Sequence, residues 1–147
     1  MMSDNSTVHR DTFWLMCDRV IANGISRTIY SSKLFPECVV KVEDNALMFQ
    51  NIREWETWKL VEGTQFARWF APCRWISPTG IVLVMERTRE PTPKQYPDKM
   101  PAFLSDFKKT NYGMYKSRLV CHDYGTNWLM NVGLTTRMQR VQEWYEA

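Results

Sequence analysis

An α+β fold built on a mostly antiparallel sheet is what this sequence predicts, and three observations predict it. Short β-branched runs separated by turn residues recur up to Thr88. One long Pro- and Gly-free stretch with helical spacing, Asn45 to Val61, interrupts them. A Pro-rich connector then leads to a smaller closing part with strand and loop signals of its own. With 147 residues, 44% of them hydrophobic, the chain is sized for one domain with a substantial core.

Composition removes several classes of function. Seven Trp, six Tyr and seven Phe are too many for a disordered chain. A net charge of +3 allows contact with phosphates, but without a basic cluster it argues against a dedicated nucleic-acid binder. No run reaches membrane-span length and the first residues lack a signal-peptide pattern, so a cytoplasmic protein without a membrane partner is expected. Cys17, Cys38, Cys73 and Cys121 are far apart and have no C-x-x-C spacing, which predicts reduced, buried thiols. His9 and His122 are too few for a histidine metal centre.

Each element follows from local pattern. Residues 1–10 are polar and expected to be loose. Thr12 to Ile21 predicts a short helix capped by Asp11, since Phe13, Met16, Cys17 and Val20 fall near one face. Asn23-Gly24 is a turn signal, and residues 20–43 read as two or three antiparallel strands, the clearest being Cys38 to Val42. Lys41 sits within this strand between Val40 and Val42; alternation either sends it to solvent or makes it a cation held on a rigid strand. In the helix, Gly63 supplies the stop. Met48, Ile52, Trp55 and Lys59 share one face, and the wheel does not choose between Glu54 and Glu56 as an inward acid. A hairpin follows, with one strand from Trp69 to Ile76 interrupted at Pro72, a turn at Ser77 to Gly80, and an apolar strand from Ile81 into Glu86. Residues 89–101 read as an extended connector. Arg118 to Cys121 is a short buried strand, and Thr135 to Glu146 predicts an amphipathic helix with Met138, Val141 and Trp144 or Tyr145 inward.

The chemistry concentrates between Asp106 and Gly125. Asp106, Lys108 and Asn111 form a compact polar loop in a D-x-K-x-x-N spacing, and Asp123-Tyr124-Gly125 follows the Arg118 strand. Singly these are ordinary turn residues. Together they suit phosphoryl transfer. One carboxylate can orient a hydroxyl, an ammonium can neutralise a moving phosphoryl group, and Asn111 with Asp123 offers hard oxygen ligands for magnesium.

In order, the chain gives antiparallel strands, a strand with Lys41, a helix with Glu54, two strands, a connector, Asp106-x-Lys108-x-x-Asn111, a strand and Asp123-Tyr124-Gly125. This order resembles the protein-kinase fold from about residue 20 to about residue 127, and the chain is similar to short kinase-like proteins of bacteria and their phages. The resemblance implies one abbreviated kinase-like domain: an antiparallel N-lobe sheet with one main helix over about 20–88, a linker at 89–101 and a truncated C-lobe over 102–147. It implies ATP and magnesium as ligands. Lys41 would contact the phosphates and Glu54 would steady it, the Asn51-x-x-Glu54 grouping favouring Glu54 over Glu56. Glu86 would end the strand leading to the adenine-binding hinge. Asp106 and Lys108 would be catalytic, and Asn111 and Asp123 would hold the metal.

Several positions depart from the family pattern. The glycine-rich loop is reduced to Gly24 with Ser26, one glycine where the family commonly has three. Leu104-Ser105 stands where His-Arg is usual, and Tyr124 replaces Phe. Only 22 residues follow Gly125, too few for the helices on which protein kinases lay their substrates. Two functions are compatible with this reading. One is an ATP- and magnesium-dependent phosphotransferase, for which autophosphorylation or an unusual acceptor fits better than a peptide. The other is a kinase-like binding module (a pseudokinase) that acts by attaching to a partner such as a host protein. Nucleic-acid binding through stacked rings is a third, weaker reading.

Overall fold

The computed structural model describes residues 2–43 and 48–146. It is α+β, with a mostly antiparallel sheet and few helices. The chain divides into two compact units, Met1–Ile52 with Cys73–Arg87 and Arg53–Pro72 with Thr88–Ala147.

The first unit holds helix α1 (Met2–Met16), strands β1 (Val20–Asn23), β2 (Arg27–Ser31) and β3 (Cys38–Glu43), the start of helix α2 (Gln50–Val61), and strands β4 (Cys73–Ile76) and β5 (Val82–Glu86). The five strands form one sheet in the order β1-β2-β3-β5-β4, each pair antiparallel. On one face Cys38, Val40, Val42 and Val84 pack with Cys17 and Met16 from the end of α1. Burying each such valine contributes roughly 1.5–3 kcal/mol, enough to fix the register of β3 against a one-residue slip. The opposite face is covered as well: Lys41 is only 4% exposed, and its strand partners are Ile29 and Leu83. Lys41 therefore does not point to solvent.

Polar groups of this unit are spent on its own backbone. Glu43 accepts from the Gln50 and Asn51 N–H groups at 2.8 and 2.9 Å, capping α2 from a strand end where a negative charge also complements the helix dipole. The fully buried Asn51 amide accepts from Arg27 at 3.1 Å and donates towards the carbonyls of Lys41, Gly80 and Ile81 at 2.9–3.0 Å. Gly80 is required twice over. Its φ is +80°, and a Cβ there would lie 2.6 Å from the Ile52 side chain.

The second unit holds the rest of α2, strands β6 (Lys99–Pro101), β7 (Tyr112–Tyr115) and β8 (Arg118–Cys121), helix α3 (Leu129–Val132) and strand β9 (Met138–Arg140). Its strands form two antiparallel ribbons, β6 with β9 and β7 with β8. Phe70 stacks on Phe103 at 5.8 Å, and Tyr124 meets the Phe70 ring edge-on at 4.9 Å. The buried Tyr124 hydroxyl donates to the Ala71 carbonyl at 2.8 Å. Trp144 forms a second aromatic centre with Tyr96, Phe107 and Tyr112, and its indole N–H donates to the Pro97 carbonyl at 2.7 Å.

The sequence-based elements need four corrections. The helix expected at Thr12–Ile21 lies earlier, at Met2–Met16, so Asp11 is interior rather than a cap and residues 2–10 are helical rather than loose. Residues 6–15 of this helix are exposed, which is why no apolar stripe marks it in the sequence. The helix expected over Thr135–Glu146 is instead β9 and an extended tail. Pairing with β6, and Gln139 donating to the carbonyls of Pro101 and Leu104 at 2.9 and 2.7 Å, outweigh local helical spacing. The strand expected from Trp69 begins only at Cys73, after a 3-10 turn at Gln65–Trp69. The connector at 89–101 contains a 3-10 turn and β6. Of the expected helix start, Asn45 to Leu47 lie outside the described residues; α2 begins at Gln50. All four cysteines are free and buried, as their spacing predicts. Among the described residues no helix is long and apolar enough to cross a membrane.

Candidate functional site

The β7–β8 ribbon sets the geometry of the motif-bearing residues. Its register runs from Tyr112 opposite Cys121 to Tyr115 opposite Arg118. One further bond, from the His122 N–H to the Asn111 carbonyl at 2.9 Å, carries the pairing past the strand ends. Asn111, which closes the Asp106 loop, thus lies beside His122, and Asp123 follows at once. Two motifs separated by a hairpin are gathered at one end of it.

Close approach there depends on Gly113. A Cβ at this position would lie 2.2 Å from the Thr88 hydroxyl oxygen and 2.9 Å from His122 Nδ1. Those two atoms are 2.6 Å apart, and His122 Nε2 is 2.6 Å from the Thr110 carbonyl. A carbonyl only accepts, so Nε2 carries the ring proton and Nδ1 is left to accept from Thr88. His122 therefore ties the tripeptide to the 3-10 turn at Lys109–Asn111.

Asp106 is exposed and has a φ of +53°. Asp tolerates this left-handed region better than most side chains, but it still costs on the order of 1 kcal/mol, and such strain tends to be kept where a side chain must be aimed. Asn111 Nδ2 donates to Asp106 Oδ2 at 3.0 Å and to its carbonyl at 3.2 Å. The Asn111 nitrogen is thereby engaged and its Oδ1 is the atom left for a cation. Asp106 Oδ1 accepts from the hydroxyl of Tyr145. Lys108 stands within this loop at the start of the 3-10 turn.

Behind the loop, the tripeptide alternates in exposure. Asp123 is exposed, whereas Tyr124 and Gly125 are buried. Glu54, fully buried on α2, accepts from the Tyr124 N–H through Oε2 at 2.8 Å. Glu56 is exposed. The inward line of α2 runs through Asn51, Glu54 and Val61, not through Ile52, Trp55 and Lys59, so burial selects Glu54 where the wheel left both acids open.

The remaining candidates belong to the first unit. Lys41 is buried on β3. Gly24 and Ser26 lie in the β1–β2 turn, where the Gly24 N–H donates to the Arg27 carbonyl at 2.8 Å. A Cβ on Gly24 would meet only that oxygen at an ordinary 3.6 Å, so space does not demand glycine there. Glu86 closes β5, and its carboxylate pairs with Arg74 and faces Cys38 Sγ at 3.8 Å. Burial, reinforced by the Glu86 charge, pushes the Cys38 thiol up to about 11. Any part Glu86 plays in holding a base therefore falls to its main chain.

Asn111 and Asp123 are the two residues here whose oxygens could serve a hard cation such as magnesium. They lie at one ribbon end, and magnesium commonly takes one or two protein carboxylates with phosphate and water completing its shell. Among the described residues no group of three or more His, Cys, Asp and Glu is placed to hold a metal by itself. Sequence reasoning missed His122, Thr88 and Tyr145. The first two are visible only through pairing across the ribbon, and Tyr145 was assigned to a helix. No protein-family model matches the chain, and no curated protein matches it.

Proposed function

We propose that this chain is an abbreviated kinase-like phosphotransferase that binds ATP with magnesium and passes the γ-phosphoryl group to a hydroxyl. The observation that carries this reading is the ribbon end. Asp106, Asn111 and Asp123 come together there, while a buried helix carboxylate holds the tripeptide by its backbone. The five-stranded antiparallel sheet with α2 inserted between β3 and β4, and the inward-facing Lys41 on β3, further support the reading.

On it, Lys41 neutralises the nucleotide phosphates, and Glu54 holds the Tyr124 main chain next to Asp123. Asn111 through Oδ1 and Asp123 through its carboxylate hold magnesium, which when bound offsets charge on the phosphates. Asp106 orients the acceptor hydroxyl and takes its proton. Lys108 neutralises the transferring group. Gly24 and Ser26 supply main-chain and hydroxyl donors to phosphate, and the chain after Glu86 receives the base.

A thermal melt with and without ATP and magnesium tests this. At roughly a hundredfold excess over the dissociation constant, a ligand of the folded state adds about 2.7 kcal/mol. Wild type is expected to show a magnesium-dependent rise that Lys41→Ala and Asp123→Asn both lose. No rise in wild type contradicts the reading.

A second reading, a binding module for a partner protein such as a host factor, is favoured by one observation. Trp14, Leu15, Val20, Ile21 and Ile25 are all exposed on α1, β1 and the following turn. A partner captured by wild type and by Asp123→Asn with equal affinity would favour it over catalysis.

A further inference from the structure

The extended tail beyond β9 lies along the Asp106 loop. The Lys109 N–H donates to the Tyr145 carbonyl at 2.8 Å and the Tyr145 N–H to the Phe107 carbonyl at 3.1 Å, a parallel bridge centred on Lys108. Trp144 anchors this register in its aromatic centre, and Glu146 pairs with Lys109 at 2.9 Å. The tail is thus held on both sides of Tyr145 by main-chain bonds. In that register the Tyr145 hydroxyl reaches one oxygen of Asp106, while Asn111 holds the other.

We propose that Tyr145 is the phosphoryl acceptor, presented to Asp106 within the same chain. The inference rests on the phosphotransferase reading above and adds the substrate to it. An acceptor needs a hydroxyl on the base, a fixed main chain behind it and an open side for the donor. Tyr145 has all three, since its side chain stays 40% exposed while its backbone is paired. The hydrogen bond to Asp106 also holds the phenol above its ordinary value, so it stays protonated until transfer. In the transfer the phenolic oxygen bonds to the γ-phosphorus and the bond to the β,γ-bridging oxygen breaks. ADP leaves with that electron pair, and the phenolic proton passes to Asp106. Once the exposed Asp106 releases that proton to solvent, its carboxylate faces a phosphotyrosine that is close to a dianion, and repulsion frees the tail from the loop.

Wild type incubated with ATP and magnesium, then digested and weighed by mass spectrometry, is expected to carry one phosphoryl group on the peptide containing Tyr145. Its rate should not depend on protein concentration, and Tyr145→Phe, which keeps the ring, should lose it while retaining the ATP-dependent rise in melting temperature. A retained rise with no phosphate on Tyr145 overturns this inference and leaves nucleotide binding standing. Loss of the rise in wild type overturns both. Without nucleotide, NMR titration of ¹³C-labelled tyrosine should place Tyr145 above 10, and Asp106→Asn should bring it back towards that value. An ordinary Tyr145 titration in wild type contradicts the contact on which the inference stands.

Discussion

The two units use buried and exposed polar groups in opposite ways. In the first, Asn51, Glu43 and Arg27 are buried and bonded to strand carbonyls, helix N–H groups or one another, and Glu86 is paired with Arg74. Each replaces hydration that folding removes, which is the work of a scaffold. In the second, Asp106 and Asp123 are exposed at a ribbon end, one of them on a left-handed backbone, and the buried polar groups beneath them hold the motif backbone in place. Stability should therefore respond to the first kind of residue and function to the second.

The largest effect should come from Asn51→Ala. It strips hydrogen bonds from the buried carbonyls of Lys41 and Gly80, from the part-buried carbonyl of Ile81 and from Arg27, and leaving such groups unpaired costs about 1–3 kcal/mol for each that water cannot reach. Urea denaturation is expected to show a loss of about 3 kcal/mol or more; a loss below about 1 kcal/mol would break the comparison. Glu54→Ala should cost somewhat less, about 2–3 kcal/mol, by orphaning the Tyr124 N–H in a buried site. Glu54→Gln keeps an acceptor for that N–H and should recover part of the loss. Tyr124→Phe removes one buried hydrogen bond to Ala71 and should cost about 1–2 kcal/mol. Smallest of all is Asp106→Asn. Asn accepts a left-handed backbone as readily as Asp, so stability should stay within about 0.5 kcal/mol while phosphorylation of Tyr145 is lost.

How much of this the sequence disclosed also differs between the units. The β-branched run through Val40 and Val42 made β3 plain, because its neighbours need only be apolar, and Gly63 ended α2 through its positive φ of 78°. The Asp106 and Asp123 segments stood out in the sequence by their spacing, and the β7–β8 ribbon between them brings Asn111 beside His122 at one end. What stayed hidden depends on distant partners. β9 exists because β6 and Gln139 bind it, and a Met138, Val141, Trp144 spacing cannot distinguish that from a helix. Helix α1 escaped because residues 6–15 are exposed and leave no periodic stripe. Glu54 could not be told from Glu56 until the inward line of α2 proved to be polar at Asn51 and Glu54. Tyr145 was misread with its element, and its contact with Asp106 went with it.

The most direct test of the central claim is to place the metal. Manganese can stand in for magnesium and broadens nearby amide resonances, so wild type titrated with ATP and manganese should lose signals first at Asn111, Tyr112 and His122 to Gly125. Residues of α1 should keep theirs, and Asp123→Asn should abolish the effect at matched concentrations. Broadening confined to any other part of the chain, or none with ATP present, would contradict the assignment of the β7–β8 ribbon end as the phosphoryl-transfer site.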